Sequence, residues 1–274
     1  MRKNQIKIAH ESPISIFNEV QNLTDYDYFL VHLLEESEDY LNNYVTSKEN
    51  KREIILDNSI FELGEAFDST KFADWVKELE PTWYIVPDVL EGYLETIKSY
   101  REFIAKYKDL PGKKIGVLQG KTYEELKQCY VHLHHMKVDM IGISFDYSYY
   151  EQLFPISEDV ENKYFSWVFG RERFLDQLFS DEDILKLKVK PIHLLGCGLP
   201  QEFVLHRNKS YSERIYSLDT SNPIVHGIKG IKYQNFGLET KESQKLFTLI
   251  NSEVTKEQLE LIKFNISTFK SFVK

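Results

Sequence analysis

The sequence predicts a (β/α)8 barrel (TIM barrel) that forms a single domain over residues 1–274. Short β-branched or aromatic runs alternate with longer amphipathic stretches, as expected of βα units around a parallel sheet. The strand-like runs number about eight, and a chain of 274 residues suits a one-domain barrel. Several runs end in a carboxylate or an amide followed by turn residues, which is where barrel enzymes carry their chemistry.

Each predicted strand is a short apolar run bounded by turn residues or charges. In chain order the strands are 6–9, 28–33, 53–57, 83–87, 114–119, 140–144, 192–196 and 214–219. Residues 69–80 predict a helix because a Ser/Thr cap precedes an apolar face that includes Phe72 and Val76. The remaining helical patterns cover 93–108, 122–136, 241–251 and 255–272.

The connection between the sixth and seventh strands, residues 145–190, is much longer than the usual link in βα units. It predicts an insertion that covers the active site. A helical pattern near 162–179 lies within it.

The net charge limits how this protein can contact nucleic acid, and the cysteine content limits its cellular compartment. The 34 basic and 43 acidic residues leave a net charge of −9, so contact with nucleic acid must be local. Two cysteines, Cys129 and Cys197, favour a reducing compartment. The first residues lack the apolar core of a secretory signal, and no segment approaches a membrane span. We expect a cytoplasmic protein without a membrane partner.

Six residues at predicted strand ends are expected to face one cavity. They are Asp57, Asp88, Gln119, Gly142, Gly196 and Asp219. Two carboxylates at one site can act as nucleophile and proton shuttle, as in glycosyl transfer. A third acid and an amide can pair with a flat heterocycle, while glycines let backbone N–H groups approach it. This combination is typical of a nucleobase pocket.

The segments around these positions resemble, in the same order, those of the tRNA-guanine transglycosylase superfamily. The resemblance covers roughly 57–230. Its segments are Asp57-Asn58-Ser59-Ile60-Phe61, Asp88, Val117-Leu118-Gln119-Gly120, Ile141-Gly142-Ile143-Ser144, Leu194-Leu195-Gly196-Cys197-Gly198-Leu199-Pro200-Gln201-Glu202 and Leu218-Asp219-Thr220-Ser221. Barrel members of this family exchange guanine in nucleic acid for a 7-deazaguanine through a covalent glycosyl-enzyme intermediate.

The resemblance implies that Asp219 is the nucleophile and that Asp57 transfers the proton. The base-binding residues that it implies are Asp88, Gln119, Gly120, Gly142, Leu195, Gly196 and Asn58. The free 7-deazaguanine base would be the second substrate, and no cofactor or metal is expected.

Two departures from the family indicate DNA rather than tRNA as the acceptor. The residues after the nucleophile, Asn222-Pro223-Ile224-Val225-His226, lack the arginine found in family members that act on tRNA. No cysteine follows Cys197, so the family's zinc signature is absent from the sequence. The chain looks more like the compact, zinc-free phage-type enzymes, which would work in the host cytoplasm and insert a preQ0-type base into DNA.

A tRNA acceptor and a catalytically silent base-binding subunit remain alternatives, and accessory proteins that open the duplex are compatible with each.

The hypothesis places nucleic-acid contacts at four cations. Lys229 and Lys232 lie in a glycine-containing turn after the last strand, and Arg171 and Arg173 lie in the insertion. The tyrosine-rich run 147–150 could either stack on bases or pack the cover.

A second cluster, 129–135, contains Cys129 and three histidines, which are residue types that bind metal ions. Cys129 also belongs to an ordinary apolar helical face with Leu126 and Leu133, and no other cluster supplies further ligands. We therefore favour a core helix here.

Overall fold

The computed structural model describes residues 5–155, 162–242 and 244–274. Its eight strands belong to one parallel sheet with the order β1-β8-β7-β6-β5-β4-β3-β2, and helices alternate with them. The predicted (β/α)8 class is confirmed. The strands are β1 Lys7–Ala9, β2 Asp27–Leu30, β3 Ile54–Asp57, β4 Trp83–Ile85, β5 Lys113–Val117, β6 Met140–Ile143, β7 Ile192–Leu194 and β8 Ile215–Asp219.

The α-helices follow the predicted patterns closely, with additional short helices in the connections. They are α1 Phe17–Gln21, α2 Val31–Glu36, α3 Glu38–Glu49, α4 Ile60–Leu63, α5 Ser69–Leu79, α6 Tyr93–Lys106, α7 Tyr123–His135, α8 Ser148–Leu153, α9 Lys163–Ser180, α10 Glu182–Leu185, α11 Glu202–His206, α12 Asn222–Ile228 and α13 Lys256–Val273. The predicted insertion contains α8, α9 and α10, while its residues 156–161 lie outside the described part of the chain.

The chain forms two compact units. The terminal unit comprises Met1–Asp25 with Ser144–Lys274, and the central unit comprises Tyr26–Ile143. The prediction of one domain over the whole chain stays a prediction.

The central unit carries β2 to β6. The register pairs Leu30 with Asp57 and Val117 with Gly142, so the last residue of β3 lies beside the last residue of β2. Residues 54–57 of β3 are buried throughout, as expected for a parallel strand covered on both faces.

The terminal unit carries β1, β7 and β8. The register pairs Ala9 with Asp219 and Leu194 with Leu218, which places the end of β8 between its two neighbours. A hydrophobic cluster lies under α12 and α13 and anchors them. Its buried members are Ile16, Val20, Ile224, Val225, Leu246, Ile262 and Ile266.

Two predicted elements were wrong. Residues 31–33 begin α2 instead of extending β2, because a short apolar run can equally be buried in a helix. The described residues of the helix predicted over 241–251, which are all but 243, form a loop with one 3-10 turn, Leu246–Leu249. Tertiary contacts override helix propensity there, since Leu246 enters the core cluster and the Lys241 ammonium donates to the Cys197 carbonyl.

Candidate active site

In the central unit, β3 presents Asp57 as its last residue. The Asp57 carboxylate accepts a hydrogen bond from the Tyr28 hydroxyl, and its Oδ1 accepts one from the Ser59 N–H at 2.5 Å. Ser59 has a left-handed φ of 63°, which turns its N–H back towards this carboxylate. The side chain is only 8% exposed. Donors on the neighbouring strand and on the following turn therefore hold its orientation.

Asp88 lies between two primary amides in the same unit. Its Oδ1 accepts from Asn58 Nδ2 at 2.8 Å, and its Oδ2 accepts from Gln119 Nε2 at 2.6 Å. All three side chains are buried. The structure thus brings together three of the predicted base-binding residues, although they come from the ends of three different strands.

The electrostatics of this cluster centre on the Asp88 carboxyl. Burial raises the pKa of Asp88 from its ordinary value of 3.8 to about 6, and the hydrogen bonds from Gln119 and Asn58 oppose that rise. The two amides keep the ionised form accessible near neutral pH. A buried carboxylate that titrates there is typical of a functional site.

Backbone contacts fix both amides. Asn58 Oδ1 accepts from the Ile60 N–H at 3.0 Å, and its Nδ2 also donates to the Val86 carbonyl at 3.2 Å. Gln119 Oε1 accepts from the Glu91 N–H at 2.7 Å. Because the carboxamide oxygens are taken by N–H donors, their NH2 groups face Asp88.

The two glycines predicted for the central unit lie in ordered backbone. A Cβ on Gly120 would come within 2.8 Å of Cβ of Glu125, so the start of α7 packs directly against it. Gly142 is buried in β6, and its carbonyl accepts from the Leu118 N–H at 2.9 Å. Their contact with a base stays a prediction.

In the terminal unit, β8 presents Asp219 as its last residue, and the neighbouring β7 supplies a histidine. Nε2 of His193 lies 3.1 Å from Oδ1 of Asp219, within ion-pair distance but outside hydrogen-bond alignment. The other ring nitrogen, Nδ1, lies 2.9 Å from Oγ of Ser217. Sequence analysis missed His193, although a histidine inside an apolar strand was a visible signal.

The loop after β7 provides a backbone donor to the same carboxylate. The Gly196 N–H donates to Oδ1 of Asp219 across 3.4 Å. Gly196 has a φ of 61°, and a Cβ there would come within 2.6 Å of Cδ1 of Phe145. Glycine is therefore required both by the backbone conformation and by the packing. The preceding residue, Leu195, is half-buried.

Arg171, predicted to contact nucleic acid, is buried inside the protein instead. Its side chain is fully buried, and Nε forms an ion pair with Oε1 of Glu202 at 2.5 Å. The remaining guanidinium nitrogens donate to the carbonyls of Leu195 and Gly196, each at 3.1 Å. Because its donors serve this loop inside the protein, Arg171 supports the residues beside Asp219.

The other predicted cations lie at the surface. Arg173 is exposed and donates to the Leu153 carbonyl at 2.8 Å. Lys229 and Lys232 are both exposed, and the Lys232 ammonium lies 4.3 Å from the centre of the Phe264 ring. Their contact with nucleic acid stays a prediction.

The tyrosine-rich run 147–150 packs against α9. Tyr147, Tyr149 and Tyr150 are buried, and each has a ring contact with Phe174 of α9. Of the two interpretations of this run, packing is the one that the structure supports. Buried rings of this kind offer no face on which a base could stack.

The cysteine and histidine cluster of α7 is a core face. Cys129, Leu126 and Leu133 are fully buried. Nδ1 of His132 lies 2.9 Å from the Gln128 carbonyl oxygen and 3.0 Å from the Tyr93 hydroxyl. Across the described residues, no three His, Cys, Asp or Glu side chains are grouped so as to hold a metal ion.

Comparison with known proteins identifies the fold only. No protein-family model and no curated protein matches the sequence. Pyruvate carboxylase from Rhizobium etli is 8% identical with a TM-score of 0.52, over 99% of this chain and 28% of that chain.

Two other enzymes also match, at lower TM-scores. One is 3-keto-L-gulonate-6-phosphate decarboxylase from Vibrio cholerae O1 biovar El Tor, at 9% identity and a TM-score of 0.45, over 97% of this chain and 99% of that chain. The other is N-acetylneuraminate lyase from Mycoplasma synoviae, at 13% identity and a TM-score of 0.44, over 83% of this chain and 75% of that chain. At such low identities only the fold is comparable.

No helix in the described parts of the chain combines the length and the apolar character needed to cross a membrane.

Proposed function

We propose that this protein is a pentosyltransferase that replaces guanine in DNA with a preQ0-type 7-deazaguanine through a covalent glycosyl-aspartate intermediate. The observation that carries the proposal is the buried cluster in which Asp88 lies between the amides of Asn58 and Gln119.

The chemistry of the base explains this set of side chains. One edge of guanine or a 7-deazaguanine carries a ring N–H, an amino group and a carbonyl oxygen, which are two donors and one acceptor. The ionised Asp88 carboxylate supplies acceptors through its remaining lone pairs, and the second N–H of the Gln119 amide supplies a donor. Asn58 uses both of its N–H groups on Asp88 and the Val86 carbonyl, so its proposed role is to hold Asp88 in place. A site built on such buried polar groups discriminates strongly against a base with the wrong pattern, because a mismatch leaves them unpaired.

Asp219 is the proposed nucleophile. One of its carboxylate oxygens attacks C1′ of the nucleoside, the bond from C1′ to N9 of guanine breaks, and the electron pair of that bond stays on guanine. The Gly196 N–H at 3.4 Å and the His193 ring at 3.1 Å support this role, because they orient the Asp219 carboxylate.

Asp57 is the proposed proton carrier. It gives its proton to the departing guanine and takes one from N9 of the incoming 7-deazaguanine, which then attacks C1′ and releases Asp219. The hydrogen bonds from Tyr28 and Ser59 support this role, because they hold the carboxylate in one orientation in both half-reactions.

The preference for DNA rests on the sequence. The five residues after Thr220 and Ser221 include no arginine or lysine, unlike the family members that act on tRNA. The sugar carbon and the base edges are hidden in a duplex, so the target nucleotide must be flipped out or already single-stranded.

The test is incubation with labelled guanine and either DNA or tRNA, followed by denaturing gels that trap any covalent adduct. Label incorporated into DNA alone, with an adduct that depends on Asp219, is the expected result. Incorporation into tRNA alone would show that the acceptor is tRNA and not DNA. Incorporation into neither polymer would overturn the proposal.

A further inference from the structure

A lysine far along the chain reaches the loop after β7. The Lys241 Nζ donates to the Cys197 carbonyl at 2.8 Å and lies 4.1 Å from the centre of the Phe145 ring. Lys241 is half-buried, and its ammonium group is held against the loop.

This cation has no acidic partner in contact with it. Among the described residues, no carboxylate oxygen lies within 4.0 Å of the Lys241 Nζ. Asp146 attracts it from a greater distance, but Oδ1 of Asp146 accepts from the Ser144 hydroxyl at 2.6 Å. A partly buried ammonium that is held by a carbonyl and a ring can accept an anionic ligand.

Burial also changes the pKa of the Lys241 ammonium group. It lowers the pKa of Lys241, against the attraction of Cys197 and Asp146, which raises that pKa. A phosphate beside the ammonium would favour its charged form and offset the burial.

Lys241 is linked through one loop to the proposed nucleophile. Cys197, whose carbonyl accepts from Lys241, follows Gly196, and the Gly196 N–H donates to Asp219. The Cys197 thiol also lies 3.4 Å from the hydroxyl of Thr220, the residue after Asp219. The helix that follows β8, Asn222–Ile228, contains neither lysine nor arginine. Arg171 also donates to this loop, but it is fully buried and paired with Glu202, so Lys241 is the better placed of the two cations to meet a ligand.

We propose that Lys241 binds a phosphate group of the nucleotide whose base is exchanged. This inference rests on the proposed function and names a subsite for its polymer substrate. A sugar bonded to Asp219 carries a phosphate on each side, and a lysine ammonium is a point charge suited to one of them. The contact positions the sugar without reading the base.

The experiment compares wild type with Lys241→Gln and Lys241→Arg on a single-stranded oligonucleotide that contains one target guanosine. Lys77→Gln, on the exposed face of α5, is the matched control for loss of one surface charge. We expect Lys241→Gln to weaken oligonucleotide binding by about 10- to 100-fold and to lower the salt slope of binding by about 1. Lys241→Arg should retain most of the affinity, and Lys77→Gln should bind like wild type.

A neutral methylphosphonate placed on either side of the target guanosine identifies the phosphate. At the contacted position it should weaken binding by wild type and have no further effect on Lys241→Gln. The subsite would be overturned if the methylphosphonate at either position weakened binding by Lys241→Gln as much as binding by wild type. It would also be overturned if Lys241→Gln bound the unmodified oligonucleotide with wild-type affinity.

Calorimetry with free 7-deazaguanine separates the subsite from the proposed function. Lys241→Gln should bind the free base as wild type does, which also shows that the variant is folded. If wild type exchanges label with DNA but Lys241→Gln does so equally well, only the subsite is wrong. If wild type exchanges with neither DNA nor tRNA, both proposals are overturned.

Discussion

Nε2 of His193 lies 3.1 Å from Oδ1 of Asp219, and Nδ1 of the same ring lies 2.9 Å from Oγ of Ser217. Two acceptor atoms that faced each other at 3.1 Å would repel, so the proton of the His193–Asp219 pair belongs on Nε2. The Ser217 hydroxyl then donates to Nδ1. This order of groups holds the Asp219 carboxylate in one orientation, which an attacking group needs.

Replacing His193 by phenylalanine should therefore slow exchange while base binding persists. The ring shape is retained, but the polar Nε2 that lies 3.1 Å from Asp219 is lost, and the loss of a close polar contact to a carboxylate corresponds to roughly 10-fold in rate. Single-turnover rates of adduct formation measure this effect, with Ser217→Ala as the control that removes only the second partner. An unchanged rate in His193→Phe would exclude any role for the ring in activating Asp219.

Asp219→Ala should abolish both exchange and the covalent adduct. Binding of 7-deazaguanine should survive, because Asp219 contacts the sugar and not the base in the proposed reaction. Labelled-guanine exchange and calorimetry on the same preparation provide the two measurements. Undiminished exchange in this variant would discard Asp219 as the nucleophile.

The raised pKa of Asp88 predicts a specific dependence of stability on pH. Because the folded-state pKa is about 6 and the ordinary value is 3.8, the folded protein binds the proton more tightly than the unfolded chain does. The stabilisation by this proton is complete below pH 3.8 and is lost as pH rises through 6. It corresponds to about 3 kcal/mol.

Asp88→Asn removes this titration. Between pH 4 and pH 7, the free energy of unfolding of the variant should therefore rise relative to that of wild type by about 2.4 kcal/mol, since part of the effect lies below pH 4. Urea denaturation across that pH range measures the difference. Parallel stability curves for the two proteins would show that Asp88 titrates normally.

Gln119→Ala should reduce selectivity for the base. The variant loses the amide that donates to Asp88 at 2.6 Å, so affinity for 7-deazaguanine should fall by about 10-fold while affinity for adenine changes little. In wild type, the same affinity should weaken below pH 6, as Asp88 takes up its proton. Equal wild-type affinity for 7-deazaguanine and for an unrelated purine would contradict the pocket.

Gly196→Ala should destabilise the loop beside Asp219. The left-handed φ of 61° costs a residue with a side chain about 1 kcal/mol, and the added methyl would approach Phe145 Cδ1 to 2.6 Å. We expect a total loss of about 2 to 4 kcal/mol in unfolding free energy and a slower rate of adduct formation. A second substitution, Phe145→Ala, should relieve the steric part only. If Gly196→Ala retained full stability, the packing of this loop would be misassigned.

Much of this architecture could be predicted from local sequence patterns. The eight strands were located to within a few residues, because apolar runs bounded by turn residues and separated by amphipathic helices leave few alternatives to a βα barrel. The positions of Asp57 and Asp219 as the last residues of their strands follow from the same pattern. A short apolar run does not distinguish strand from helix, which is why residues 31–33 were assigned wrongly.

The partners of these residues could not be predicted, because they lie far apart in the chain. Tyr28 reaches Asp57 across 29 positions, and His193 and Ser217 are separated by 24. In the sequence, a tyrosine or a histidine in a strand looks like any other core residue. Only the register of the parallel strands decides which side chain each one meets.

By itself, the sequence determined the barrel class and the polar residues at the strand ends, since both depend on the order of neighbouring residues. Only the tertiary structure decided which charges are buried. In the sequence, Arg171 and Lys229 are both basic residues of a predicted nucleic-acid contact. In the structure, Arg171 is buried and donates to a loop, whereas Lys229 is exposed to solvent. The reason is physical: burial of a charge depends on partners brought by distant segments, and for Arg171 these are Glu202 and the carbonyls of Leu195 and Gly196.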